Sequence, residues 1–271
     1  MRAGQRRLIA CAPAVSLPHL APGQWIVGAL VAGLVGIAKT GVPGVGTLAV
    51  PLMVLAIGDA RQAAGWLLPL LCVADVLAVA IYRRQVYARR LFVLFPWVLG
   101  GMIAGALALY APEPTLRPTV AVIVLVMIAF RLLGGLGSMH PDSSARPARA
   151  APDSWRQAAV YGTAAGFSTT LANAAGPVMN LYLLAKRLPK DEFVGTGAWF
   201  FLIVNLCKLP IYAGHGLINR PSLAFDAILV PAVLAGAVTG RAALRRLPQR
   251  TFERLVLALT ILACALLFIP K

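Results

Sequence analysis

The sequence predicts an all-α, polytopic membrane protein: two inverted repeats, each a broken or re-entrant helical hairpin plus three transmembrane helices. Three observations predict it. The 271 residues are 59% hydrophobic and 13% charged, with a mean hydropathy of +0.80, more apolar side chain than a soluble domain can hide. The apolar residues cluster in runs, several of roughly 18–22 residues, long enough to cross a hydrocarbon core of about 30 Å. The runs do not alternate apolar with polar positions, which argues against a transmembrane barrel.

In chain order the runs are 25–38, 46–57, 62–82, 91–110, 116–134, 155–172, 177–186, 193–213, 222–240 and 254–270. Two adjacent pairs, 25–38 with 46–57 and 155–172 with 177–186, are too short to span singly, and each pair meets at a cluster of helix breakers. The stretch "GGLGSMHPDSSARPARAAPDS" (134–154) is small, polar and Pro-rich, so it reads as a flexible loop between halves. The expected division is a first membrane repeat at 25–134, a cytoplasmic linker at 135–154 and a second membrane repeat at 155–270.

The net charge of +16 lies mostly in short loops between apolar runs, the positive-inside pattern of membrane topology, and no nucleic-acid partner is expected. "YRRQVYARR" (82–90), the 134–154 link, "KRLPKDE" (186–192) and "RAALRRLPQR" (241–250) go to the cytoplasm, and "APEP" (111–114) goes outside. Residues 155–186 then begin and end inside, residues 25–57 begin and end outside, and the two hairpins enter from opposite faces. Arg2, Arg6 and Arg7 would sit outside, against the rule. The chain reads as a multi-pass protein of the cell (inner) membrane, its partners the lipid bilayer and a small anionic substrate; assembly into a homo-oligomer is left open.

The halves resemble each other. A shift of 130 pairs Gly36 with Gly166, Thr40 with Thr170, Gly46 with Gly176, Gly65 with Gly195, Ile81 with Ile211 and Tyr82 with Tyr212.

Backbone left unpaired in hydrocarbon costs several kcal/mol per group, so a helix break at membrane depth must be buried in protein or line a wet cavity. A break also creates a helix N-terminus whose free N–H groups and dipole favour an anion. In "TGVPGVG", Gly41, Gly44 and Gly46 would let the backbone approach a ligand, and Pro43 forbids a continuous helix. In "FSTTLANAAGPVMN", Ser168, Thr169, Thr170 and Asn173 would supply neutral donors, with Pro177 early in the next half-helix. Small residues also serve close helix packing; two clusters at repeat-related positions favour a site.

Lys39 lies 14 residues past Trp25, roughly 21 Å along a helix, too far to snorkel back, and reads as a counter-charge for the anion. Lys208 is close enough to the end of its span for snorkelling to rival that role. Asn205 lies one turn from Lys208 on the same face. Asp75, which the 130 shift places opposite Asn205, either pairs with a lysine or titrates as a coupling group. The candidate substrate-binding set is therefore Lys39, Thr40, Gly41, Gly44, Gly46, Ser168, Thr169, Thr170, Asn173, Gly176, Asn205 and Lys208, with Asp75 as coupling candidate. Cys11, Cys72, Cys207 and Cys264 form no metal spacing and read as packing residues, so no metal or cofactor is expected. GxSxG, HExxH and Walker sequences are absent, which points away from an enzyme and from ATP-driven transport on this chain.

At "GLVGIAKTGVPGVGTLAVPLM" (33–53), "GTAAGFSTTLANAAGPVMNLYLL" (162–184) and "GTGAWFFLIVNLCKLPIY" (195–212) the chain resembles the sulfite exporter TauE/SafE family of membrane permeases. Asn205 and Lys208 match the family's late Asn-x-x-Lys pair; "GVPGVG" and "ANAAGP" stand where the family usually has consecutive glycines. The resemblance implies movement of a sulfur-containing anion such as sulfite, an organosulfonate or thiosulfate, or of a related carboxylate. The expected function is a secondary transporter for a small anion. The alternatives are an anion channel, or a membrane component that passes a sulfur species to a partner enzyme with Cys207 as its handle.

Overall fold

The computed structural model describes residues 20–108, 122, 155–173 and 175–267. Among them nine α-helices can be bounded, and no strand. They are α1 (Pro22–Thr40), α2 (Ala49–Ile57), α3 (Ala60–Tyr82), α4 (Ala88–Ala108), α5 (Trp155–Ala172), α6 (Ala175–Ala185), α7 (Lys190–Gly214), α8 (Arg220–Arg246) and α9 (Gln249–Leu267), with a 3-10 turn at Val45–Leu48 leading into α2. The span expected at 116–134, the 135–154 linker, the three N-terminal arginines and Cys11 lie outside the described residues.

Five segments are long and apolar enough to cross a membrane: Pro22–Thr40, Arg61–Tyr82, Leu91–Ala108, Lys190–Gly214 and Arg220–Arg246. Their outward faces are apolar too: Ile26, Leu30, Phe92, Ile103 and Val238 are all exposed, as lipid contact requires. Pro22 starts α1 at a position where its missing N–H is not needed. Asp59 caps α3 by accepting from the Gln62 N–H, and Asn219 with Ser222 forms a capping box at α8. Lys190 donates through Nζ to the carbonyls of Leu244 and Leu247, at 2.7 Å each, and so satisfies the end of α8.

Both interrupted segments turn back on themselves. Gln24 at the start of α1 donates through Nε2 to the carbonyl of Ala56 at the end of α2 (2.6 Å). Lys186, just past α6, donates through Nζ to Gln157 Oε1 near the start of α5 (3.0 Å). The first hairpin opens beside the N-terminal end of α8, where Trp25 packs on Phe225 with ring centroids 5.1 Å apart. The second opens beside the C-terminal end of α8, where Lys190 holds its last carbonyls. The hairpins therefore open at opposite ends of one long helix.

One expectation needs correcting. The first limb of the first hairpin is not short: α1 has 19 residues and is apolar enough to span. It begins before Trp25 and runs on through Lys39 and Thr40, because Lys39 finds its counter-charge on another helix and Thr40 bonds its hydroxyl to backbone. Only the returning limbs, Val45–Ile57 and Ala175–Ala185, are short.

The long limbs pack through glycines. A Cβ on Gly36 would strike Val233 and Ala237 of α8, and one on Gly41 would strike Gly240. Reciprocally, Gly236 lies against Gly33, and Gly240 against Ile37 and Thr40. The α4–α5 contact has the same form: Gly101 lies against Thr163, and Gly105 against Phe167 and Thr170. α3 and α7 cross between these two pairs, with Gly65 against Leu217 and Gly195 against Tyr82 and Gln85.

Candidate functional site

Three charged side chains, two buried and one largely so, converge where α1, α3, α5 and α7 meet. Lys39, in the last turn of α1, places Nζ 2.8 Å from Asp75 Oδ1 on α3, and its side chain is 12% exposed against 0% for Asp75. The ammonium also sits over the Phe201 ring of α7, 3.9 Å from its centroid. The other Asp75 oxygen accepts from Asn205 Nδ2 at 2.6 Å. Asp75 and Asn205 are the pair related by the 130 shift, and they touch each other.

One turn along α7, Lys208 is 1% exposed. Its ammonium donates to Thr169 Oγ1 (3.2 Å) and to Asn173 Oδ1, both at the end of the long limb of the second hairpin. Both partners are neutral, and no carboxylate among the described residues forms an ion pair with it. Asn173 has φ +50°, a left-handed conformation that Asn tolerates better than most residues, and the chain re-forms a helix at Ala175. Its side-chain N–H2 has no hydrogen-bond partner among the described residues; it faces the Tyr212 hydroxyl without hydrogen-bond geometry. Gly176, in the first turn of α6, is open, and the nearest atom to a Cβ built there is Thr47 Cγ2, at 4.0 Å. Thr47 belongs to the returning limb of the first hairpin, so the two breaks come together here.

The structure divides the expected residues into two groups. Lys208, Thr169, Asn173 and Gly176 stand together with unspent hydrogen-bonding capacity. Lys39, Asp75 and Asn205 form a closed set in which the Lys39 charge is already balanced, so Lys39 does not stand as a free counter-charge and Asp75 is an ion-pair partner. The other expected hydroxyls are engaged locally in this structure. Ser168 donates to Ala164 O (2.6 Å), Thr170 to Gly166 O (3.0 Å), and Thr40 to Gly36 O or Ala237 O (2.9 and 2.7 Å), so each proton is used one turn back or on α8. The glycines of the first break are also filled by protein: Gly41 by Gly240, Gly44 by Leu259 of α9, and Gly46 by Ala38. Gly44 has φ +107° and turns the chain. Cys72 is buried, as expected of a packing residue, whereas Cys207 is exposed, so the adjacent Lys208 points away from it into the protein.

The sequence reading passes over one further acid. Asp226 on α8 is 5% exposed, and neither carboxylate oxygen has a hydrogen-bond partner among the described residues. An acid six residues inside an apolar span was the signal available for it.

A helical membrane protein with two in-membrane breaks gathered around buried cations is of the permease class. A family profile described as Sulfite exporter TauE/SafE matches residues 25–267, and the chain belongs to that family of membrane transporters. No curated protein and no solved structure matches the chain.

Proposed function

We propose that this permease is a secondary transporter for a small sulfur-containing anion, sulfite, thiosulfate or an organosulfonate, in the cell's inner membrane, and that Lys208 is the residue that holds it. The observation that carries the reading is the charge balance of the buried cluster. Lys39 and Asp75 cancel, and Lys208 is left with one positive charge and only neutral partners. A cation held in so apolar a setting is costly unless an anion meets it. The Lys208 ammonium meets Thr169 and Asn173, and α6 begins two residues past Asn173, so a hydroxyl, a side-chain amide and free helix N–H groups, all donors suited to oxyanion oxygens, belong to the same break. Thr47 and Gly176 bring the first hairpin to the same place.

The two halves, 25–134 and 155–270, act as an inverted repeat about the α3–α7 contact and rock to alternate access. The meeting of Asp75 with its shifted equivalent Asn205 supports this, as do the reciprocal glycine contacts. The test is uptake of radiolabelled sulfite, thiosulfate and methanesulfonate by protein reconstituted in liposomes. Saturable uptake with counterflow of at least one of them is expected. Conductance without counterflow would make the protein an anion channel instead.

A further inference from the structure

We propose that Asp226 is a proton-binding site that couples transport to the proton gradient, separate from the anion site and resting on the transporter reading above. The side chain lies about 9 Å along α8 from Arg220, on a helix that packs against α1 and α3 of the other half. It lies on the buried face of α8 with Phe225, Leu229 and Val233; Phe225, its neighbour in sequence, is fully buried and packs on Trp25 and Trp66 at 5.1 and 5.3 Å between centroids. The Trp66 indole N–H is likewise without a partner among the described residues.

Among the described residues no charge compensates the acid. α1 carries a single charged residue, Lys39, at its far end and already bound to Asp75. α3 carries Arg61, exposed at its start, and Asp75, nine residues past Trp66, about 13 Å farther along. Asp59, before α3, is exposed and engaged with the Gln62 N–H. On α8 itself Arg220 is exposed at the first residue and Arg241 lies toward the other end. His215, in the preceding connection, is exposed. An ionised carboxylate enclosed in this way, with no hydrogen bond and no counter-ion among the described residues, is strongly disfavoured. In this conformation the group carries its proton. When the halves open to one side, α8 separates from α1 and α3 and the carboxyl exchanges its proton with that side; closure requires the protonated form, and after the halves open the other way the proton is released to the opposite side. Asp75 is not placed to serve in this way, because both of its carboxylate oxygens are engaged by Lys39 and Asn205.

The experiment compares wild type with Asp226→Asn in two readouts. In proteoliposomes at zero membrane potential, radiolabelled sulfite uptake is measured with a pH gradient of one unit and as counterflow at equal pH. One coupled proton gives wild type up to about tenfold accumulation. Asp226→Asn should lose that accumulation and keep counterflow within about twofold, which also shows that it folds. An unchanged response to the gradient, or loss of both fluxes together, overturns the proposal. Independently of any substrate, pH-difference infrared spectra of the membrane-embedded protein should show a protonated-carboxyl C=O band in wild type that is missing from Asp226→Asn. If wild type moves no sulfite, the transporter reading loses that substrate and the infrared band alone decides the proton site; identical spectra reject it.

Discussion

Two lysines in the same cluster have opposite situations, and single substitutions should separate them. Lys208 has only neutral partners, so Lys208→Met removes an ammonium without stranding a carboxylate. Hydrogen bonds to a charged group are each worth about 1.5–3 kcal/mol, so anion binding should weaken about tenfold to a hundredfold, read as a rise in the sulfite concentration needed for half-maximal uptake, while the thermal midpoint in detergent holds or rises. Lys39 behaves differently because its partner is the fully buried Asp75. Lys39→Met or Asp75→Asn alone leaves an uncompensated charge and should cost about 3–5 kcal/mol of stability. The double substitution should recover most of that loss, measured as the thermal midpoint by intrinsic fluorescence. If the double variant is no more stable than the worse single one, Lys39 and Asp75 are not coupled. Hydropathy and repeat position were enough to gather Lys39, Asp75, Asn205 and Lys208 into one neighbourhood. They could not say which lysine keeps a free charge, because that depends on whether Asp75 lies nearer Lys39 of α1 or Lys208 of α7, a tertiary fact. Ser168, Thr169 and Thr170 each have a helical carbonyl four residues back; Ser168 and Thr170 use it, whereas Thr169 accepts from Lys208 on α7, a difference that packing sets and sequence does not display.

The helices are held by backbone contact at glycines, and adjacent residues of α4 test this. A Cβ at Gly101 would strike the Thr163 carbonyl, whereas at Gly100 nothing lies within 4 Å. Gly101→Ala should lower stability by about 1–3 kcal/mol. Gly100→Ala should leave it unchanged or raise it by up to about 1 kcal/mol through helix propensity. Thermal midpoints of the two purified variants decide the matter, and equal shifts would mean that α4 does not sit against α5 at this register. The glycines belong to a pattern that a shift of 130 does not find: "PWVLGGMIAG" (96–105) and "PAVLAGAVTG" (231–240) align at a shift of 135. The connections before α4 and α8 are equally long (83–87 and 215–219), and the extra residues lie at the end of α7 and in the first turns of α8, so one fixed offset matches α1–α3 with α5–α7 and then loses register. Scanning the halves separately for a small-xxx-small motif behind a proline would have recovered it. The length of α1 was obscured differently. A charged residue ends an apolar run in a hydropathy scan, but in the fold the helix continues through Lys39 because α3 supplies the counter-charge.

At the scale of the molecule, the decisive property is that the two hairpins open at opposite ends of α8. Charge counting along the loops led to this arrangement from sequence, because basic residues crowd one set of connections and each returning limb must end where its hairpin began. The contacts of Gln24 with Ala56 and of Lys186 with Gln157 are the structural form of the same constraint. Oriented in a bilayer, the connection at Asp59 and the one at His215 should therefore face one side, and those at Arg84 and Arg187 the other. All four residues are exposed. In a background with Cys11, Cys72, Cys207 and Cys264 replaced by serine, single cysteines at these four positions should react with a membrane-impermeant maleimide in two exclusive groups. Positions 59 and 215 should label on intact cells, and 84 and 187 only on inverted vesicles, since the latter lie in basic connections, which the positive-inside rule assigns to the cytoplasm. Labelling of 59 and 187 from the same side would place both hairpin openings on one face. The two breaks could then no longer approach a shared anion from opposite leaflets, and alternating access by rocking of two inverted halves would lose its geometric basis even if Lys208 still bound the solute.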